Sequence, residues 1–205
     1  MRVGENHFRS IWFDEKRNAV NIIDQRVLPY EFKVITIDTL EDFELAIRDM
    51  AVRGAPLIGA TAAFGMACQM RRDPSDECIH IGWERLHKTR PTAINLKWAL
   101  DRCKSALLKV STESRAKLSL ELAKKIADED VEINRNIGVH GLKIIREIAA
   151  NKSSDDPVRL LTHCNAGWLA TVDWGTATSP MFQAFDNDVP IHVWVDETRP
   201  RNQGA

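Results

Sequence analysis

The sequence predicts an α/β protein with a mainly helical N-terminal domain that carries a small antiparallel sheet, followed by an incomplete Rossmann-like parallel α/β domain. Short strand-like segments precede residue 38, and helical periodicity continues to about residue 149. Two short apolar segments then flank a helical one, which is the pattern of a βαβ unit. We therefore expect one domain at 1–128 and a second at 129–205, which begins with a linker helix.

Composition and charge narrow the function classes. The chain has 205 residues, with 28 Lys and Arg against 29 Asp and Glu, a net charge of −1. A dedicated nucleic-acid binder usually carries a basic excess, so this balance argues against one. No apolar run approaches the length of a membrane span, and the first residues lack the apolar region of a signal peptide. We expect a cytoplasmic protein with no membrane partner.

Cysteine usage favours free thiols in a reducing compartment. The spacing between the cysteines matches neither a CxxC pair nor a zinc-finger pattern. We therefore expect neither a disulfide framework nor a bound metal. The four cysteines are Cys68, Cys78, Cys103 and Cys164.

The N-terminal segments alternate between strand and turn signals and then become helical. We predict strands over 10–13, 18–23 and 28–37, followed by a helix from Asp38 or Thr39, which can cap it, to about Met50. Pro56 is suited to the first turn of the next helix. Further helices are predicted at 92–109, where Thr92 can cap the start, at 118–126 and at 131–149.

The last predicted helix has one apolar face, formed by Ile137, Gly141, Ile144, Ile145 and Ile148. The polar run 151–156 and Pro157 then break the helical pattern.

The C-terminal part changes to the pattern of a parallel sheet. Val158–Thr162 is short, apolar and continuous, as a buried parallel strand should be. A turn at 165–167, a helix within 175–186 and a strand over 189–195 complete the predicted βαβ unit.

Arg53, Gly54 and Ala55 form the first candidate binding segment. A glycine and small residues lead into a helix that Pro56 opens, so free backbone N–H groups and the positive helix end could receive an anion. The Arg53 guanidinium adds a two-pronged donor suited to phosphate. The alternative is a tight loop between packed helices with a solvated arginine.

Arg90 is the second candidate. It precedes a predicted helix start, where a positive charge is electrostatically unfavourable and a bound anion would offset the repulsion. The alternative is an ordinary surface arginine.

Cys164 directly follows the first predicted parallel strand, at the sheet edge where open α/β sheets bind ligands. It could act as a thiolate, as a neutral proton donor, or only as a small core residue. The preceding His163 is expected to point to the other face and to be structural.

The loop after the second strand, 196–205, offers Gln203 as a donor and acceptor for sugar hydroxyls. The alternative is a solvated charged loop in which Asp196 or Glu197 pairs with a nearby arginine.

Four ordered motifs resemble those of the methylthioribose-1-phosphate isomerases. The wider family of these aldose–ketose sugar-phosphate isomerases includes ribose-1,5-bisphosphate isomerases and the regulatory subunits of translation initiation factor 2B. The resemblance spans essentially the whole chain, and HCNAG with RPTAINL favours the isomerases over the factor subunits. The four motifs are VRGAPLIGATAAFG, RPTAINLKWAL, LLTHCNAGWLATVDWGTA and VWVDETRPRNQGA.

The resemblance implies conversion of 5-methylthioribose 1-phosphate to 5-methylthioribulose 1-phosphate, a step of methionine salvage, by a homodimer that needs no cofactor. It assigns the family's active-site cysteine to Cys164. Two alternatives stay open: an isomerase of 5-deoxyribose 1-phosphate or a related sugar, and a non-catalytic sugar-phosphate-sensing subunit. The implied substrate-binding residues are Arg53, Gly54, Ala55, Arg90 and Gln203.

The chain departs from the resemblance in its length. Family members are considerably longer, and their active-site aspartate and further substrate contacts lie on later strands. No residue of this chain takes that aspartate's position. We therefore expect either a piece of a longer protein or a truncated product that has lost activity. Asp173, Thr178 and Ser179 also differ from the small residues that relatives often carry, and Asn202 replaces a common leucine.

Overall fold

A computed structural model describes residues 1–153 and 156–198. Strands and helices follow in the predicted order, with the antiparallel strands first, the helices next and a parallel pair last. The strands are β1 Arg2–Val3, β2 Asn6–His7, β3 Ile11–Asp14, β4 Ala19–Ile23, β5 Val34–Ile37, β6 Val158–Thr162 and β7 Ile191–Val195. The helices are α1 Leu40–Arg48, α2 Ala55–Arg72, α3 Asp76–Thr89, α4 Ile94–Leu107, α5 Thr112–Ala150 and α6 Ser179–Asp186, with a 3₁₀ turn at Trp168–Ala170.

The first sheet confirms the three predicted strands and shortens the third. Strands β3, β4 and β5 are antiparallel neighbours, with β4 in the centre and all five of its residues buried. Ile22 faces Ile11 on one side and Ile35 on the other. The predicted third strand began at residue 28, but only Val34–Ile37 pairs. A separate short hairpin, β1 with β2, precedes this sheet and was not predicted.

Helix α1 begins where the sequence predicts. Thr39 is the N-cap: its side chain accepts a hydrogen bond from the Asp42 N–H, and the Asp42 carboxylate accepts one from the Thr39 N–H. This reciprocal capping box satisfies two N–H groups that the first turn leaves unpaired.

Helix α2 lies at the centre of the N-terminal core and is buried on almost every side. Its small residues allow neighbouring elements to approach closely. A Cβ added at Gly59 would lie 2.9 Å from the Asn95 carbonyl oxygen, and one at Gly65 would lie 3.2 Å from the Phe43 side chain. The run of small residues is therefore a packing requirement of the four helices that contact α2.

Two features around α3 and α4 differ from the sequence expectations. Helix α3 occupies Asp76–Thr89, a segment that was not predicted to be helical. Its buried positions are Ile79, Gly82 and Leu86, and a glycine in that row weakens the apolar signal. The prediction that Thr92 caps α4 is wrong, because Ala93 is the N-cap and makes no side-chain cap bond.

The two helices predicted before residue 150 are one continuous helix, the 39-residue α5. The predicted apolar face of its second half is largely wrong. Ile137, Ile144 and Ile148 are each more than a third exposed. The buried row instead contains Asn134, Gly138, Leu142 and Ile145. Gly138 lies in that row because α6 packs there, with Ser179 against Gly138 and Pro180 against Gly141. Asn134 lies in it with its amide donating to Asp130 on the same helix.

The C-terminal part is the predicted parallel βαβ arrangement. β6 and β7 are parallel, with Val158 opposite Ile191 and Thr162 opposite Val195. Helix α6 is shorter than predicted and begins at Ser179. The expectation that the first parallel strand is buried is wrong, because only Val158 of β6 is buried. Large side chains of this region are exposed by more than half of their surface: Leu161, Phe185, Trp194 and Val195.

Two apolar cores share α5. The larger core joins the first sheet to α1–α4 and the first part of α5, and includes Val172; the smaller contains Leu142, Ile145, Val158 and Ala184. The predicted division between 128 and 129 lies within the uninterrupted α5 and stays a prediction. Within the described ranges, no helix is both long and apolar enough to cross a membrane.

Two neighbouring carboxylates, the buried Asp173 and the half-buried Asp130, connect α5, the N-terminus and the loop after β6. Asp173 is 2% exposed and accepts bonds from the Met1 ammonium group at 2.6 Å and from His7 Nε2 at 2.8 Å. Asp130 accepts bonds from the Val172 N–H and from the Asn134 side chain. Burial raises the pKa of Asp130, and the nearby Asp173 charge adds to the increase, while the two hydrogen bonds oppose it.

We predict that Asp130→Asn changes how stability depends on pH. The folded protein holds the Asp130 proton more tightly than the unfolded chain does, so the contribution of this group to stability falls as pH rises above its unfolded pKa and through its folded pKa. The stability of the wild type minus that of Asp130→Asn should therefore decrease between pH 4 and pH 7. Urea unfolding at a series of pH values measures it.

The control for this prediction is Asp128→Asn, which replaces an exposed carboxylate two residues earlier on α5. A wild-type minus Asp130→Asn difference that stays constant or increases with pH would contradict the prediction.

Candidate functional site

Cys164 lies just beyond β6 in a backbone conformation that side chains seldom adopt. Its φ is +69°, in the left-handed region, and the side chain is exposed. Such a conformation costs about 1–2 kcal/mol for a residue other than glycine. Strain of this kind concentrates at functional sites. The cysteine is therefore held at the sheet edge rather than buried as a small core residue, which rules out one of its predicted alternatives.

An open cavity of about 330 Å³ lies beside Cys164. Its lining residues are mostly apolar, and the polar ones besides Cys164 are Thr162, Asn165 and Thr178. It is large enough for a small ligand. The lining residues are Thr162, Cys164–Leu169, Thr178, Met181, Phe182, Val193 and Val195.

The loop after Cys164 is held by hydrogen bonds within itself and to the N-terminal sheet. The Thr176 N–H donates to the Ala166 carbonyl at 3.0 Å, and the Gly175 N–H donates to Thr171 Oγ1 at 3.1 Å. Ser10, the residue before β3, donates from its hydroxyl to the Trp168 carbonyl at 3.0 Å. These bonds fix the cavity wall relative to the helical half of the molecule.

Gly54 makes the closest contact between that loop and α2. Its φ is +108°, and a Cβ built on it would lie 2.3 Å from the Ala170 carbonyl oxygen and 2.6 Å from the Ala170 side chain. Only glycine fits both the conformation and the space. Helix α2 starts at the next residue, the exposed Ala55, with no side-chain cap and no acidic residue in its first turn. The unneutralised positive end of α2 therefore lies beside Ala170.

Arg53 is half-buried and contacts Gln25 through two nitrogens. Its Nε donates to Gln25 Oε1 and its Nη2 donates to the Gln25 carbonyl, both at 3.3 Å. Gln25 in turn donates from Nε2 to the Leu169 carbonyl at 2.7 Å. Because Leu169 lines the Cys164 cavity, the structure brings Arg53 and Gly54 to the loop that carries Cys164.

No described contact or cavity relates Arg90 to Cys164. Arg90 is exposed at the end of α3, and its carbonyl accepts a bond from the Ala93 N–H. The residues after it line a groove of about 520 Å³, which shares none of its described lining residues with the Cys164 cavity. Gln203 lies outside the described residues, as do Arg199 and Arg201. The roles of these residues stay predictions.

His163 and Asp196 form a polar contact at the same edge of the sheet. His163 Nδ1 lies 3.2 Å from Asp196 Oδ2, and both residues are exposed. The partner described for Asp196 is thus a histidine, whereas the sequence suggested an arginine. Among the residues whose structure is described, no group of three or more His, Cys, Asp or Glu side chains could hold a metal ion.

Two residues of this region were missed by the sequence analysis. Gln25 follows a strand with no motif around it, and nothing in the sequence relates it to Arg53 or Leu169. Asp173 was noted only as a departure from the relatives, whereas it is buried and binds the N-terminal hairpin. The one available signal was a charged residue within an otherwise small and apolar segment.

We predict that Gly54→Ala destabilises the protein by about 2–4 kcal/mol, because positive φ and overpacking against Ala170 both cost free energy. The matched control is Gly4→Ala: Gly4 also has positive φ, at +60°, but has no atom within 4 Å of an added Cβ. It should lose only about 1 kcal/mol. Urea unfolding of both variants compares these costs, and equal losses would contradict the close contact.

Comparison with known proteins agrees with the resemblance expected from the motifs. Over all 205 residues the chain is 57% identical to a methylthioribose-1-phosphate isomerase of Sinorhizobium medicae and 52% identical to one of Escherichia coli. The chain spans 56% and 55% of the lengths of these two relatives.

Solved structures agree with the fold. The crystal structure of 5-methylthioribose 1-phosphate isomerase from Pyrococcus horikoshii matches with a TM-score of 0.83 and 38% identity, over 97% of this chain and 55% of that one. The translation initiation factor eIF-2B subunit delta from A. fulgidus matches with a TM-score of 0.83 and 39% identity, over 97% of this chain and 57% of that one. The model of the initiation factor 2 subunit family matches residues 51–205. The chain therefore belongs to the initiation factor 2 subunit family.

Proposed function

We propose that the protein acts in the isomerisation of 5-methylthioribose 1-phosphate to 5-methylthioribulose 1-phosphate, a step of methionine salvage. The observation that carries the proposal is the identity of 57% along the whole chain to a relative with that name. The geometry supports it, because an exposed cysteine in a left-handed conformation lines a cavity. The loop that forms part of the cavity wall contacts Gly54 at Ala170 and is linked to Arg53 through Gln25 at Leu169.

The substrate sets a particular chemical task. Its anomeric carbon carries the phosphate, so the ring cannot open by loss of a hemiacetal proton. A group must protonate the ring oxygen as the ring C–O bond breaks, and a hydrogen must then move from C2 to C1. C2 is oxidised to the ketone and C1 is reduced, so the reaction needs no external oxidant or reductant. We assign to Cys164 the proton transfer or the stabilisation of the transition state.

The remaining predicted residues would hold the sugar phosphate. Arg53 supplies the planar donor and the start of α2, at Gly54 and Ala55, supplies backbone N–H groups and the positive helix end. Arg90 and Gln203 are included on the resemblance alone. In the same proposal the protein is cytoplasmic and homodimeric.

A second candidate function is a non-catalytic sugar-phosphate-sensing subunit. The similarity to the eIF-2B subunit delta favours it, since its TM-score of 0.83 equals that of the isomerase. The exposed Cys164 argues for catalysis instead. Binding of the sugar phosphate without turnover would support the sensing role.

The decisive experiment measures turnover of 5-methylthioribose 1-phosphate by phosphorus NMR, using the 205-residue chain and any longer protein that contains it. We expect Cys164→Ala to lower kcat by about 10²–10⁴-fold, as loss of an acid–base group does. Cys78→Ala, which removes a half-buried thiol on α3, is the matched control and should retain turnover. Full activity of Cys164→Ala would contradict the catalytic assignment. Parallel assays with 5-deoxyribose 1-phosphate test the alternative substrate.

Thiol labelling provides an independent test of the site. We predict that iodoacetamide modifies exposed Cys164 first and Cys78 more slowly, because thiolate access controls the rate. Cys68 and Cys103 should be protected, since both are buried and burial raises the pKa of Cys103 to about 12.

Mass spectrometry of the labelled peptides measures these rates with and without substrate. Added 5-methylthioribose 1-phosphate should slow the labelling of Cys164 and leave that of Cys78 unchanged. Labelling of Cys164 that does not respond to saturating substrate would contradict binding in this cavity.

A further inference from the structure

Gln25 places a polar side-chain amide in the protein interior. It follows β4 and is 1% exposed. An amide buried without hydrogen-bond partners is costly, and a similarly sized apolar residue such as methionine would fill the space without that requirement. The polar contacts of Gln25 therefore indicate what the side chain does.

Each described contact of Gln25 leads to one of two segments of the candidate site. Its backbone N–H donates to the Ala51 carbonyl at 3.0 Å, and its carbonyl and Oε1 accept from Arg53 Nη2 and Nε. Its Nε2 donates to the Leu169 carbonyl at 2.7 Å. One residue thus connects the segment before α2 to the wall of the Cys164 cavity.

The geometry fixes the direction of the Arg53 guanidinium. Two nitrogens of one planar group contact two oxygens of the same residue, so rotation of the side chain would break both contacts. The bond to Leu169 is the shortest of the set and anchors the amide to the cavity wall. An arginine side chain loses rotational freedom when it binds a ligand, and holding it in place beforehand reduces that cost.

We propose that Gln25 is a positioning residue that holds Arg53 beside the loop that walls the Cys164 cavity, where its guanidinium receives the phosphate of the substrate. This inference rests on the proposed function, since it assigns to Arg53 the sugar-phosphate contact. Gln25 does not itself touch the substrate; it acts through Arg53 and the Leu169 carbonyl.

The test replaces Gln25 by an apolar residue of similar size. Gln25→Met removes both side-chain contacts and keeps the volume. The matched control is Asn21→Leu, which removes another buried amide, on β4, whose oxygen accepts a bond from Thr36 rather than from Arg53. Melting temperatures of both variants report the structural cost of losing a buried amide.

We expect Gln25→Met to raise KM for 5-methylthioribose 1-phosphate about tenfold with little change in kcat, because the lost interaction is the same in the ground and transition states. Asn21→Leu should leave KM unchanged whatever its melting temperature. In an Arg53→Met background, Gln25→Met should have no further effect on KM, since both substitutions remove the same interaction. An unchanged KM in Gln25→Met, or additive effects of the two substitutions, would overturn the inference.

A second measurement needs no substrate and separates this inference from the proposed function. Hydrogen exchange of the Arg53 Nε–H, followed by nitrogen-15 NMR, should be slow in the wild type and faster in Gln25→Met. Equal exchange rates would overturn the positioning role even in an active enzyme. Slow exchange in a wild type that neither binds nor converts the sugar phosphate would refute the proposed function and leave the Gln25–Arg53 contact intact.

Discussion

The contact between Gly54 and Ala170 is the constraint on which the arrangement of the candidate site depends. It brings the start of α2 against the turn that follows Cys164, at a distance that no side chain larger than hydrogen allows. The Arg53 segment and the cysteine loop belong to different parts of the chain, and this contact joins them. The Gln25 amide bonds both Arg53 and Leu169, so hydrogen bonds as well as close packing hold the start of α2 against the loop after Cys164.

Helix α5 provides the second constraint, because this single continuous helix contributes side chains to both apolar cores. The glycines at 138 and 141 allow α6 to pack directly on α5, where an added Cβ would lie 2.4 Å from atoms of Ser179 and Pro180. The parallel strands then follow from the position of α6, since the βαβ connection places both strands beside it. The site loop is therefore anchored on both sides, at α2 by Gly54 and at α5 by Asp130.

The carboxylates of Asp173 and Asp130 show how the loop after β6 also depends on the N-terminus. Asp173 binds the Met1 ammonium group and His7, and Asp130 binds the adjacent backbone at Val172. Burying two carboxylates near each other is costly unless each is paired or hydrogen-bonded. The Met1 ammonium group, which precedes β1, supplies the positive charge for Asp173, and His7 of β2 adds a hydrogen bond, which gives these short strands a role in supporting the site.

Sequence reasoning succeeded where short-range signals decide the structure. A helix start capped at Asp38 or Thr39, a helix start at Pro56 and a parallel strand at Val158–Thr162 all follow from local chemistry, and the four ordered motifs identified the family. Tertiary packing decided the rest. The buried row of α5 contains Gly138 because α6 packs against it, and Asn134, whose amide donates to Asp130; an apolar periodicity cannot predict a glycine or a polar residue at a contact. The link from Arg53 through Gln25 to Leu169 depends on three segments meeting in space, and no pattern within any one of them encodes that distance.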